Sequence, residues 1–266
     1  MKVISYSIFG DPASFEFPFY MRGLYFNARM NKLIYPEWRT AVAVEISVFE
    51  KYQSFFSALE QKFRALPFVM RPAPLCESML WRMAPIFYYD TSHVICRDAD
   101  AITTYKEAQA VQEWIDSGLG FHGITDNPAH TLPLMGGMCG FRVDHFKQTF
   151  PEYDTFEKLV AGSDLKNHGS DQNLLMKKIY PKAKGNLLVH SFSGYNRTDE
   201  VKLVRQSANG IVAGVSPKLW ESNLTCRHIG SPGVVDFETL RFFKRFDKTD
   251  YSDFEKQFKD ICYWQR

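Results

Sequence analysis

No apolar run in this chain approaches the ~20 residues that a membrane-spanning helix needs, and neither repeats nor low-complexity tracts break up its 266 residues. Charge of one sign is also missing. The 32 basic and 30 acidic residues leave a net charge of +2, which argues against a nucleic-acid-binding face as the main business. Cysteine is sparse and unpatterned. Cys76, Cys96, Cys139, Cys226 and Cys262 are odd in number and show no CxxC spacing. They read as reduced, mostly buried thiols, and no structural zinc site is expected. The opening residues 1–10 are too few and too polar for a signal peptide and fit a first strand. These absences lead to an expectation of a soluble, cytoplasmic protein with no transmembrane segment and no nucleic-acid partner. No linker divides the chain, so residues 1–266 are expected to form a single domain. Aromatics, by contrast, are abundant at 15%, with 23 Phe and 13 Tyr. They build cores, and they also stack on bases and sugar rings.

The hydrophobic periodicity alternates between strand and helix. Residues 3–8 read as a buried strand running into the turn Phe9-Gly10-Asp11-Pro12. A helix is expected over 18–32, with Phe19, Tyr20, Leu24, Ala28 and Met30 on one side. A strand over 41–46, a helix over 51–64, a short strand over 68–70 and a helix over 75–83 follow. Either 86–89 or 94–96 then forms the next strand. Thr104-x-x-Glu107 is a capping box, followed by Ala108, Val111, Trp114 and Ile115 at helical spacing and Gly118 as a stop. Residues 121–123 and 126–130 read as loop, and 135–142 as a glycine-rich strand. Helices are expected over 154–160 and 170–179, the second stopped by Tyr180-Pro181. Residues 236–258 read as an amphipathic helix, packed on its own domain or touching a membrane surface. Strands alternating with helices imply an α/β fold with a largely parallel sheet.

The most informative stretch is His-Val-Ile-Cys-Arg-Asp-Ala-Asp, residues 93–100. In an extended segment, residues i and i+2 point to the same side, so Asp98 and Asp100 offer two carboxylates to one small volume. Such charges repel unless a cation lies between them, and a hard divalent ion, Mn²⁺ or Mg²⁺, suits oxygen ligands. Aspartate is also common in strand-end turns for its local backbone hydrogen bonds. Ligands of parallel α/β sheets bind outside the carboxyl ends of the strands, which is where this pair falls.

Together these pieces resemble the nucleotide-sugar-dependent glycosyltransferases of the GT-A fold. The resemblance is carried by the segment 3–10, by Asp98-Ala99-Asp100 as a DxD motif, by Gly136-Gly137-Met138 and by Ser170-Asp171-Gln172. It implies a Rossmann-like, mostly parallel central sheet flanked by helices. Residues 1–117 would form the nucleotide- and metal-binding half, 118–235 the half for donor sugar and acceptor, and 236–266 a helical tail. It further implies a UDP- or GDP-sugar donor, a glycan or other hydroxyl acceptor, and Mn²⁺ or Mg²⁺ as cofactor. Ser7, Phe9 and Gly10 would hold the nucleobase. Asp98, Asp100 and a returning His228 would hold the metal, with His190, His122 and His130 as competitors for that histidine. Arg22 and Arg82 would meet the diphosphate, whereas Arg97 would point to the opposite face and balance local charge. Gly136 and Gly137 would border the sugar. Asp171 would contact the sugar or act as general base, and Asp126, with His130, is an acceptor-side candidate.

Two other readings compete. Asp98-Ala99-Asp100-Ala101-Ile102-Thr103 is similar to the phosphatase motif of the haloacid dehalogenases, in which the first aspartate, here Asp98, is the nucleophile. That motif normally ends the first strand of its core, and no clear late Asp-Asp pair is present for its metal. A non-catalytic nucleotide-sugar-binding protein is the third reading.

Overall fold

Val3, Ala41, Ala43 and Val94 face one side of a sheet, and Ile4, Tyr6, Ile8, Val42, Val44 and Ile95 face the other. Alternation of this kind is set by the pleat of the strand, and here both faces are apolar because both are covered by helices. The computed structural model describes residues 1–125, 130, 132–167, 169–191 and 245–262.

Seven strands form the sheet: β1 (Lys2–Ile8), β2 (Trp38–Glu45), β3 (Leu66–Met70), β4 (His93–Arg97), β5 (Phe121–Thr125), β6 (Met138–Arg142) and β7 (Leu187–Ser191). Their order is β3-β2-β1-β4-β6-β5-β7. β6 runs antiparallel to both its neighbours, and every other pairing is parallel. The fold is therefore α/β with a mostly parallel central sheet, as the periodicity implied.

The helices of the first half are α1 (Phe17–Ile34), α2 (Ile46–Lys51), α3 (Gln53–Phe63), α4 (Leu75–Leu80), α5 (Pro85–Tyr88) and α6 (Tyr105–Ser117). Those of the second are α7 (Val143–Thr149), α8 (Phe156–Val160), α9 (Ser170–Leu174), α10 (Tyr180–Ala183), α11 (Ser252–Gln257) and α12 (Lys259–Cys262). α1, α3, α6, α11 and α12 pack on one face of the sheet; α4, α5 and α7–α10 pack on the other. Among the described residues no helix is long and apolar enough to cross a membrane.

Several expectations need correction. Residues 121–123 are not loop but part of β5, whose five residues are all buried. Phe121 packs into the core on one face and His122 stacks on Trp114 of α6 on the other, so this strand has no solvent face and shows no alternation. Residues 86–89 are not a strand, since 85–88 form α5, and the strand leading to Asp98 is β4. The helix expected over 51–64 is interrupted at Tyr52, so that α2 starts at Ile46 and Arg64 closes α3 at φ 58°. Pro181 does not stop its helix. It sits in the first turn of α10, where its missing N–H is no loss, after a π-helical stretch Leu175–Ile179. In α1 the buried face holds Met21, Leu24, Tyr25 and Ala28, while Phe19 and Tyr20 lie outside it.

The tail packs on its own domain as far as it is described. Phe254 of α11 stacks on Tyr25 with ring centroids 5.1 Å apart and planes 12° apart. Arg29 reaches Asp247 at 2.8 Å and Glu255 at 3.4 Å. Residues 236–244 of the expected helix lie outside the described residues.

Candidate functional site

The chain runs from β1 outward through β2 to β3, then returns across β1 to enter β4 on its other side. The carboxyl ends of β1 and β4 therefore flank a topological switch point, where open α/β sheets leave a crevice. A cavity of about 640 Å³ lies there. Ser7, Phe9 and Gly10 line it from the end of β1, Asp98 and Asp100 from the end of β4, and Tyr20, Met79 and Arg82 from the helices around them.

Each wall has a local cause. Gly10 takes φ 97°, a left-handed conformation natural to glycine, and its N–H donates to Glu45 at 3.3 Å. The Ser7 hydroxyl donates to the Met79 carbonyl at 3.3 Å. Phe9 meets Trp81 edge to face at 5.9 Å and lines the cavity.

The two aspartates share the cavity, but not by strand alternation. β4 ends at Arg97, and the Ala101 N–H donates to the Asp98 carbonyl at 3.3 Å, closing a turn over 98–101. Asp98 is 46% exposed. Burial, and then the Asp98 carboxylate, raise the pKa of Asp100 above its ordinary value. The Tyr20 phenol is raised by burial and by the same acidic neighbourhood. Negative charge here is thus only partly balanced.

Its balance comes from Arg82, whose side chain is 3% exposed. One guanidinium nitrogen donates to Asp98, and the other lies 3.3 Å from Asp171 Oδ2. Burial works to lower the Arg82 pKa, but the two carboxylates outweigh it and raise it. Asp171 lies in the first turn of α9 and is itself buried, outside the residues lining the cavity. Its Oδ1 has no hydrogen-bond partner among the described residues. Gly136 and Gly137 form the backing. A Cβ at Gly136 would come within 2.5 Å of Arg82 Nη2 and 2.7 Å of Asp171 Oδ2, and one at Gly137 would overlap the Asp98 carboxylate.

Arg97 borders the cavity, but its side chain turns toward α6. Its Nη1 donates to the Gly137 carbonyl at 2.7 Å, and its Nε lies 3.0 Å from Glu107 Oε1, with both side chains buried. Thr104 caps α6 by accepting from the Glu107 N–H at 3.1 Å, so Glu107 completes this ion pair rather than the reciprocal half of the capping box.

The other candidates fall elsewhere. Arg22 does not line the cavity. It lies with its guanidinium 5.6 Å from the Phe26 ring and beside Cys262. Gly23 faces the turn over 98–101, and one residue along a helix rotates a side chain by about 100°, which carries Arg22 away. His190 is buried between His122 (2.9 Å) and Glu113 (3.0 Å) on β7, three strands from β4. Neither it nor His122 reaches the aspartates. His130 is half-buried in a segment whose neighbours are not described. Asp126 and His228 lie outside the described residues. Among the described residues, no cluster of three or more His, Cys, Asp or Glu could hold a metal ion.

Sequence reasoning missed Gly23 and Asn27 of α1. The Asn27 carboxamide donates to the carbonyls of Ala99 at 2.9 Å and Ala101 at 3.1 Å. The readable signal was a glycine inside a helix with asparagines four and eight residues on, Asn27 and Asn31, since that spacing puts all three on one face.

No family model matches the chain, and no curated protein matches it. Among solved structures, the mannosyltransferase PcManGT from Pyrobaculum calidifontis, in complex with GDP-Man and Mn²⁺, aligns over 73% of this chain and 58% of its own. Its TM-score is 0.44 at 12% identity, and this chain spans little more than half its length. The 4-diphosphocytidyl-2C-methyl-D-erythritol synthase from Anaerococcus prevotii aligns over 76% of this chain and 92% of its own, with TM-score 0.45 and 8% identity. S. aureus TarS aligns over 98% of this chain and 77% of its own, with TM-score 0.44 and 12% identity. Likeness of this degree assigns no activity.

Proposed function

We propose that the chain is a metal-dependent glycosyltransferase of the GT-A type, moving a sugar from a UDP- or GDP-sugar to a hydroxyl of a glycan or similar acceptor. The observation that carries this reading is the placement of Asp98 and Asp100 at the mouth of the switch-point cavity. Its volume suits a nucleotide-sized ligand. The raised pKa of Asp100 beside Asp98 marks negative charge that a cation would relieve. Two carboxylates are donors that would fit a hard divalent ion. Asp98 and Asp100 would hold Mn²⁺ or Mg²⁺, which would supply Lewis-acid stabilisation of a departing diphosphate.

The chain's own residues do the rest. Phe9, which lines the cavity at the end of β1, would offer a ring for a nucleobase to stack on. Arg82 holds the Asp98 carboxylate toward the cavity. Asp171 acts through Arg82, because it is buried behind that guanidinium rather than facing the cavity. Asp126 on the acceptor side and His228 as a returning ligand belong to the same reading.

The test is thermal unfolding with nucleoside diphosphates and nucleotide sugars, each with Mn²⁺ and with chelator. A ligand at a hundred times its Kd stabilises the native state by about 2.7 kcal/mol, which moves Tm by roughly 5–10 °C in a chain of this size. Stabilisation by one nucleotide that needs Mn²⁺, and is lost in Asp98→Asn and Asp100→Asn, is the expected result. Equal stabilisation in chelator, or none with any nucleotide, overturns the reading.

A further inference from the structure

Gly23, Asn27 and Asn31 make a buried stripe on α1 that lies against the chain just after β4. At Gly23 the helix backbone comes so close that the Ala99 carbonyl oxygen occupies the place of a Cβ, and Asp100 Cα lies 3.0 Å from it. One turn later, Asn27 uses its whole carboxamide on the segment 99–103. Its Nδ2 gives one hydrogen to the Ala99 carbonyl at 2.9 Å and one to the Ala101 carbonyl at 3.1 Å. Its Oδ1 accepts from the Thr103 N–H at 2.7 Å and lies 3.1 Å from the Thr103 hydroxyl, whose single hydrogen is shared with Asn31 Oδ1 at 2.9 Å. A primary amide has two donor hydrogens, so both are committed to the carbonyls of Ala99 and Ala101 and none is left for another partner. The reversed amide would set its oxygen against two carbonyls, so the network admits one orientation.

We infer that Asn27 is a positioning residue for the carboxylate pair, holding the turn that carries Asp98 and Asp100 from behind. It is fully buried and does not line the cavity. Its two donor bonds grip Ala99, between the aspartates, and Ala101, just beyond Asp100, and so set the separation and aim of the two carboxylates. No other side chain of this size does the same. Aspartate would bring a carboxylate against two carbonyl oxygens, and leucine would leave both carbonyls and the Thr103 N–H buried without partners. The link to cation binding rests on the proposed reading of Asp98 and Asp100; the hold on the turn does not.

Asn31 provides the control. It is buried on the same face and bonds Tyr6 at 3.0 Å, Thr40 at 3.1 Å and the Thr103 hydroxyl at 2.9 Å, but neither Ala99 nor Ala101. Two readouts are made on the full chain as wild type, Asn27→Ala, Asn27→Asp and Asn31→Ala, at a temperature where all are folded. The first is Mn²⁺ affinity, followed by the paramagnetic signal of the free ion. The second is hydrogen exchange at the Thr103 amide, which requires no metal. Both Asn27 variants are expected to weaken Mn²⁺ by about ten- to a hundredfold, the usual effect of removing a support behind metal ligands. They should also speed Thr103 exchange at least tenfold, while Asn31→Ala changes neither. The inference is overturned if Asn27→Ala exchanges at Thr103 as slowly as wild type, or if Asn31→Ala loses as much Mn²⁺ affinity as Asn27→Ala. Wild type that binds no Mn²⁺ refutes the metal reading instead, and the exchange rates then decide the hold on the turn by themselves.

Discussion

Asp171 and Arg82 form a buried ion pair, with Oδ2 and Nη2 3.3 Å apart and side chains only 2% and 3% exposed. Breaking a buried pair on one side strands the other charge, at a cost of about 3–5 kcal/mol. Arg82→Met should therefore lower the urea stability by that amount, because Asp171 cannot reach water. Adding Asp171→Leu to it should restore most of the loss. A single variant as stable as wild type would mean that the Arg82–Asp171 pair contributes nothing to stability.

Gly137 touches Asp98 where a side chain would begin. Gly137→Ala must push the Asp98 carboxylate or the backbone aside, and forced overpacking of this kind costs about 1–3 kcal/mol. The fold should survive, as judged by circular dichroism, while Mn²⁺-dependent stabilisation by nucleotides is lost. Gly162→Ala serves as the comparison. Its Cβ would meet nothing within 4 Å, so its only strain is the left-handed φ of 69°; it should lose some stability and keep the metal response.

Two histidines tie stability to pH. Burial, then Arg142 and Lys2, lower His93 from 6.5 to about 4. Burial, then His190, hold His122 well below its ordinary value. Between pH 6.5 and about 4 the unfolded chain binds protons that these groups refuse when folded, so stability rises with pH across that window. Acidification should destabilise the protein from pH 6.5 downward. His93→Gln should flatten the slope of urea midpoint against pH. An unchanged slope would show that His93 protonates freely in the folded state. Because His93 is only half-buried, solvent screening reduces the size of its share.

The tail docks through aromatic rings. Phe254 packs on Tyr25, Phe55 and Phe63 at centroid distances of 5.1, 6.1 and 5.5 Å. Phe254→Ala should cost about 3 kcal/mol, at the lower end for a buried phenylalanine. Chemical denaturation with an unchanged m-value would attribute the loss to packing. A loss under 1 kcal/mol would mean that the tail contributes little to holding α1 and α3.

Much of the fold was legible because its signals are local. The β1 strand with its Phe9-Gly10 turn, the Thr104 cap of α6 and the Gly118 stop at φ 72° all depend on residues within a few positions of one another. β5 was not legible, since a strand enclosed on both sides loses its alternation, and His122 and Gly123 look like loop residues out of context. Half of the cavity could be read: Asp98 and Asp100 at the strand end, and Phe9 and Gly10 at the first turn. Arg82 and Arg22 were both named as basic residues in segments that should reach this end of the sheet, though of the two only Arg82 lies at the cavity.

By itself, the sequence determined that strands alternate with helices and that two carboxylates leave the fourth strand one residue apart. Both follow from periodicity and spacing along the chain. The tertiary structure alone decided what meets those carboxylates. Arg82 pairs with Asp98 across 16 positions and with Asp171 across 89, and Asn27 reaches Ala99 across 72. Such contacts depend on strand order, on the antiparallel entry of β6 and on which face α1 turns to the sheet. Those are outcomes of packing the whole chain, and no stretch of a few residues carries them.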